Sequence, residues 1–215
     1  MNRRIAYKDV AAIFIILLVV GGFFFKLFYP IQQIIATPDF GESDAIGNIS
    51  SKMIYAAGLK EHHIPLWSSF IGGGYPVYAT GMLLGAFYVP NLIAFTVFPL
   101  VTAYNLVLVT SVMLLGLGMF ALLRILQYHR GIALFGALTL ALSGYNIAQL
   151  THISITESLS LFPIITLLFY LLAKRKSWTL AGLLSFVLSQ QVFIGFPQIV
   201  FLTVLFAGAL FLYTL

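Results

Sequence analysis

The chain has 215 residues, of which 61% are hydrophobic and 8% charged, and a formal net charge of +5. A soluble core so apolar would have no polar surface to show water, and the basic residues fall in short clusters between apolar runs rather than along one phosphate-reading face, so no nucleic-acid partner is expected. Cysteine is absent, which excludes disulfides and thiolate metal sites.

Several apolar runs reach the roughly 20 residues that a helix needs to cross hydrocarbon, and they predict an all-α polytopic membrane protein. Asn2 to Asp9 is short and basic, and the apolar run Val10 to Tyr29 follows it. That run is too long for a secretory h-region and lacks a small-x-small cleavage site, so it reads as an uncleaved first span with its amino end cytoplasmic. Lys26 lies near the outer end of the run, where a long side chain snorkels to the headgroups.

Residues 30–80 form one long, polar, aromatic-rich outer connection, a length that within a compact protein points to function or to local folding. Inside it, Ile46, Ile49, Met53 and Ala56/Ala57 recur at spacings of three and four, predicting an amphipathic juxtamembrane helix over Ala45 to Lys60 that lies along the membrane surface. Ser43 or Asp44 is its natural N-cap; Asp44 there also has the chemistry of a general base, a partly shielded carboxylate able to take a proton from a hydroxyl. Asp39, between Pro38 and Gly41, reads as a turn residue. Lys60, Glu61, His62 and His63 complement the carboxyl end of the helix dipole, and equally suit a lipid phosphate, whose leaving-group charge cations neutralise. Adjacent histidines share a helical face too poorly to chelate one metal. Ile64-Pro65-Leu66-Trp67 supplies an aromatic anchor, and Gly72-Gly73-Gly74-Tyr75-Pro76 a backbone that can approach a ligand closely.

Met82 to Pro99 is expected to be interfacial or re-entrant, because Pro90, Asn91 and Pro99 interrupt it and a full crossing would put Arg124 and Arg130 outside. Thr102 to Ile125 then comes in, Gly131 to Leu150 goes out, Leu159 to Ala173 returns to Lys174-Arg175-Lys176, Leu180 to Ile194 goes out, and Ile199 onward begins another crossing, about six spans in all. His152 and Glu157 fall in the short outer turn between two of these spans, where ionisable groups are either functional or in contact with headgroups. Gln190, Gln191 and Gln198 cluster around Gly195-Phe196-Pro197, with helix–helix hydrogen bonding the simpler reading. On this topology every carboxylate except Asp9 lies outside, and Asp44, Lys60, His62, His63, His152, Glu157 and Gln198 share one face. No Walker loop, Rossmann fingerprint, nucleophile elbow or HExxH helix occurs.

The series Asp44, Ile64-Pro65-Leu66-Trp67, Gly73-Gly74-Tyr75-Pro76, Phe87-Tyr88-Val89-Pro90-Asn91-Leu92, Leu142-Ser143-Gly144, His152 and Gly195-Phe196-Pro197-Gln198 resembles the YfhO-like bacterial membrane proteins of the GT-C glycosyltransferase superfamily. The resemblance implies a single transmembrane module over 1–215, forming the N-terminal portion of a longer plasma-membrane protein, in keeping with an end at Leu215 inside an apolar stretch. It implies transfer of a sugar from a polyprenyl-phosphate donor to a cell-envelope glycan or polymer acceptor on the outer face. It places the catalytic carboxylate on Asp44, with a second polar element at His152 and Glu157. Lys60, His62, His63, Trp67, Tyr75, His152 and Gln198 are then the expected substrate contacts. No particular cofactor is implied beyond a candidate divalent cation, which Glu157 with His152 would orient. The rivals are a lipid or small-molecule transporter or flippase, marked by mid-membrane ionisable groups and repeated broken helices, and a scaffold that docks partners on the outer loop.

Overall fold

The computed structural model describes residues 7–35, 44–69, 73–77 and 84–214, and gives the backbone alone for Tyr7, Lys8, Asp44 and Ala45. Asp39, Ser43 and Gly72, singled out above, lie outside the described residues. The described chain is helical, with no strand beyond one isolated bridge between Ser68 and Tyr75. Four helical segments are long and apolar enough to cross a membrane: Leu100–Ile125, Arg130–Ala148, Ile153–Lys174 and Pro197–Thr214. Asp9–Phe23 and Trp178–Ile194 are shorter apolar helices.

Helix α1 (Tyr7–Phe23) buries Ala12, Ile16 and Val20, one residue per turn, and leaves Val10, Phe14 and Leu18 outward. Outward apolar side chains on this scale suit lipid rather than water. Helix α2 (Asp44–Lys60) follows, then α3 (Val89–Val97), which starts with Pro90 in its first turn. At nine residues, α3 rises about 13 Å and falls short of a crossing, as Pro90, Asn91 and Pro99 foretell.

Helix α4 (Leu100–Ile125) is the hub, packing most extensively on α7 (Ile153–Lys174) and α5 (Arg130–Ala141), and also on α1 and α3. Two glycines permit this. A Cβ on Gly118 would lie 2.8 Å from Ile164 and 2.9 Å from Pro163 of α7, and one on Gly116 would meet Ile16 of α1 and Ala141 of α5 at 3.2 and 3.3 Å. On α5, Ala133, Ala137 and Ala141 form a fully buried stripe at i, i+4, the small-residue face by which apolar helices approach closely. Ser143 breaks the run after α5 and caps α6 (Gly144–Ala148), its hydroxyl accepting from the Asn146 amide. Helix α8 (Trp178–Ile194) ends on Gly195 at φ 89°, and Pro197 opens α9 (Pro197–Thr214), a glycine stop and proline start that tightens the connection. Gln191 of α8 donates to the Ser158 carbonyl of α7 and to the Thr203 hydroxyl of α9, tying three helices with one amide.

One end of the bundle is pinned by charge. Asp9 of α1 receives Arg124 from the end of α4 and Arg130 from the start of α5, at 3.1 and 3.0 Å. Asp9 is the one carboxylate expected among the basic clusters, and its two arginines account for it.

Candidate functional site

The opposite end of the bundle holds a buried ion pair. Lys52 of α2 and Glu157 of α7 approach to 3.5 Å, with side chains 1% and 0% exposed. Glu157 lies one turn inside α7, whose first residue is Ile153, rather than in the preceding connection; being fully buried, it makes no headgroup contact.

Helix α2 reaches Glu157 because its polar side faces the protein. Asn48, Lys52 and Tyr55 stand at i, i+4, i+7, and Tyr55 and Lys52 are wholly buried, whereas Ile46 and Met53 point outward. Outward Ile46 and Met53 suit a helix lying on a membrane surface; the inward Lys52 stripe is what the apolar periodicity alone did not reveal. Three bonds fix it. Asn48 donates to the Thr151 carbonyl at 3.3 Å, Lys52 to the Leu84 carbonyl at 2.9 Å, and Tyr55 to the Ala86 carbonyl at 2.8 Å. Phe95 of α3 packs against the pair, its ring 5.3 Å below the Lys52 ammonium and edge-on to Tyr55.

The turn over 84–88 supplies carbonyls to this cluster, and Gly85 is the residue that permits it. At φ 58° it occupies the left-handed region, and a Cβ there would collide with the Asn91 amide nitrogen and lie 3.5 Å from Oε2 of Glu157. Asn91 donates to the Gly85 carbonyl and stands beside the Glu157 carboxylate. The Tyr88 phenol faces Ser111 of α4 and Ser160 of α7, and the Tyr104 hydroxyl and Ser158 Oγ are buried without a hydrogen-bond partner among the described residues. Burial pushes the Lys52 ammonium below the usual lysine range, and the facing Glu157 charge opposes that fall. Burial, then the same carboxylate, raises the Tyr55 and Tyr88 phenols. The result is a water-shielded carboxylate with its own counter-ion, ringed by phenols, amides and hydroxyls.

Asp44 opens α2 and its side chain lies outside the described part. It stands one helical turn before Asn48, so the Asn48–Thr151 bond brings its segment to the connection that carries His152. His152 is half-buried at the N-cap of α7, its Nδ1 3.3 Å from the Thr151 hydroxyl. Lys60, His62 and His63 belong elsewhere. They are exposed at the far end of α2, about 24 Å from Asp44 along a helix. His63 lies 3.8 Å from Glu61. With Glu61, Trp67 and Ser68, His63 lines a concavity of about 320 Å3. Trp67 is 61% exposed, and its indole is held by Gly74, where a Cβ would sit 2.6 Å from the ring. Ser68 and Tyr75 exchange two backbone bonds of 2.7 Å, fixing Tyr75 beside this groove. Gln198 is exposed in the first turn of α9 and makes no described contact with either cluster, while Gln190 accepts from the amide of Val89, the first residue of α3, a helix–helix bond of the kind expected for these amides.

The residues around Glu157 do not fit a divalent cation. Among the described residues no three His, Asp or Glu side chains gather, and the Lys52 ammonium occupies the cation's place beside the carboxylate.

Comparison with models of protein families, with curated proteins and with solved structures finds no match to this chain.

Proposed function

We propose that the protein is a multi-pass plasma-membrane glycosyltransferase with a cytoplasmic amino terminus. It uses about six crossings, and its chemistry lies at the outer face. The two 17-residue helices α1 and α8 rise about 26 Å each, close to the hydrocarbon thickness, and join the four longer segments in that count. The observation that carries the reading is the docking of α2 on the start of α7 through Asn48–Thr151 and Lys52–Glu157. This joins the first outer connection, with Asp44, to the next outer element, with His152 and Glu157, as the resemblance to GT-C enzymes requires.

In this reaction Asp44 removes the proton of an acceptor hydroxyl as its oxygen attacks the anomeric carbon of a polyprenyl-phosphate-linked sugar. The bond from that carbon to the phosphate oxygen breaks, and the lipid phosphate leaves with the electron pair. Glu157, locked by Lys52, holds α2 and with it Asp44 against the start of α7, and His152 orients the donor. The groove at His63 and Trp67, remote from Asp44, holds a further part of donor or acceptor rather than the scissile bond. The test is incubation of the reconstituted protein with a labelled polyprenyl-phosphate sugar and envelope glycan, where a covalent product is expected.

A second reading is favoured by one observation. An ion pair this buried, inside the mouth of a helix bundle, is also the mark of a transporter or flippase. Flux of labelled donor across liposomes with no covalent product would select that reading and reject the transferase.

A further inference from the structure

The pinned end of the bundle carries a cavity that the proposed transferase leaves unused. Arg124, Gln127, Tyr128, His129 and Arg130 line a concavity of about 240 Å3 at the connection from α4 to α5. The 19-residue helical segment from Arg130 to Ala148 separates it from the Glu157 end by about 28 Å.

Its charge is not balanced from within. Arg124 grips Asp9 with two nitrogens, Nε to Oδ1 at 3.1 Å and Nη2 to Oδ2 at 3.3 Å, and spends Nη1 on the Tyr128 carbonyl at 2.7 Å. That bidentate pair neutralises Asp9. Arg130 adds only its Nε to the same Oδ1, at 3.0 Å, so its charge is surplus and its Nη1 and Nη2 have no hydrogen bond among the described residues. His129 accepts the Gly131 amide on Nδ1, which leaves a proton on Nε2 in the neutral ring. Gln127, held in the left-handed region at φ 72°, turns the backbone sharply between the two arginines. A guanidinium whose two-nitrogen edge makes no hydrogen bond among the described residues and an imidazole donor, set between the end of apolar helix α4 and the start of apolar helix α5, match a phosphate that arrives attached to an acyl chain.

We infer that this cavity binds the phosphodiester headgroup of an anionic phospholipid from the leaflet at that end, with Arg130 as the principal ligand. The bound lipid would link α1, α4 and α5, the helices that Asp9 already joins.

The experiment is thermal unfolding of the purified full chain in micelles doped with phosphatidylglycerol, phosphatidylcholine or inorganic phosphate. Phosphatidylglycerol is expected to raise Tm by about 3 °C or more over phosphatidylcholine, with the shift shrinking at high salt. Arg130→Gln should abolish the shift and Arg130→Lys should retain part of it. An equal effect of phosphatidylcholine, an undiminished shift in Arg130→Gln, or the same protection by inorganic phosphate alone would overturn the lipid assignment. Should Arg130→Gln fail to fold, the wild-type protein still decides the matter. Phosphorus and headgroup analysis after delipidation should find retained anionic lipid that salt displaces, and its absence would refute the site.

Discussion

Removing Lys52 should expose how much of the fold rests on one buried pair. In Lys52→Met the side-chain volume is nearly kept and the Phe95 ring stays covered, but Glu157 loses its counter-ion and the Leu84 carbonyl loses its 2.9 Å donor. Stripping one partner from a buried pair costs about 3–5 kcal/mol, since the surviving charge has neither water nor partner; at about 1.4 kcal/mol per decade, the folding constant falls 100-fold to several thousand-fold. Adding Glu157→Gln removes the stranded charge and keeps an amide beside Asn91, so the double variant should recover to within about 1–2 kcal/mol of wild type, because replacing a whole buried pair by neutral groups is often nearly neutral. The double variant should thus be about 2–3 kcal/mol more stable than Lys52→Met, and the coupling between positions 52 and 157 should exceed that figure by the loss in Glu157→Gln alone, read from reversible unfolding in bicelles. Strictly additive losses, or a Lys52→Met protein within 1 kcal/mol of wild type, would mean that the two side chains do not share a dry site.

The single variant Glu157→Gln adds a pH test. Burial holds the Lys52 pKa below the unfolded value of 10.5, and the variant removes the charge that opposes that depression. Its stability should rise with pH between the depressed folded pKa and 10.5, because the unfolded chain binds more protons throughout that window, and a flat profile would contradict the burial of Lys52. Gly85→Ala should cost about 1–2 kcal/mol for its left-handed backbone, and more as Asn91 is displaced, read by unfolding. Gly118→Ala should loosen α4 from α7 at a cost of about 1–3 kcal/mol, since its Cβ has Pro163 and Ile164 in the way, and a neutral result would show that α7 can shift. Cysteine placed at Ser69 should label from outside in intact cells, and at Ser177 only after permeabilisation; the reverse pattern would invert the topology.

Much of the architecture was legible because membrane helices announce themselves. Unbroken apolar runs predicted α4, the α5–α6 segment, α7 and α9, and Pro90 and Pro99 marked α3 as too interrupted to cross. Charge clustering grouped Arg124 and Arg130 at one end, where Asp9 indeed meets them. The site was harder to see. Periodicity located α2 through Ile46, Ile49 and Met53, yet Ile46 and Met53 point outward while Ile49 packs on the core, since in a bilayer an apolar face has two hosts, lipid and protein, and sequence does not distinguish them. Lys52 consequently drew no notice. Its signal was the stripe Asn48, Lys52, Tyr55, three hydrogen-bonding side chains on successive turns, which makes sense on a helix that buries its polar face. Glu157 drew notice because a carboxylate near a span is costly, but its partner sits 105 residues earlier, a pairing no local pattern encodes. The Lys60–His63 cluster looked like part of the same face because both lie in one outer connection, whereas the length of α2 keeps them apart.

The most direct measurement is turnover by the reconstituted protein with a labelled polyprenyl-phosphate sugar, comparing wild type with Asp44→Asn and Glu157→Gln after both variants are shown to insert and fold. A base and a positioning carboxylate at one site predict losses of about 100-fold or more in product for Asp44→Asn and a substantial loss for Glu157→Gln. Undiminished product from both would contradict a reaction centred where α2 meets α7.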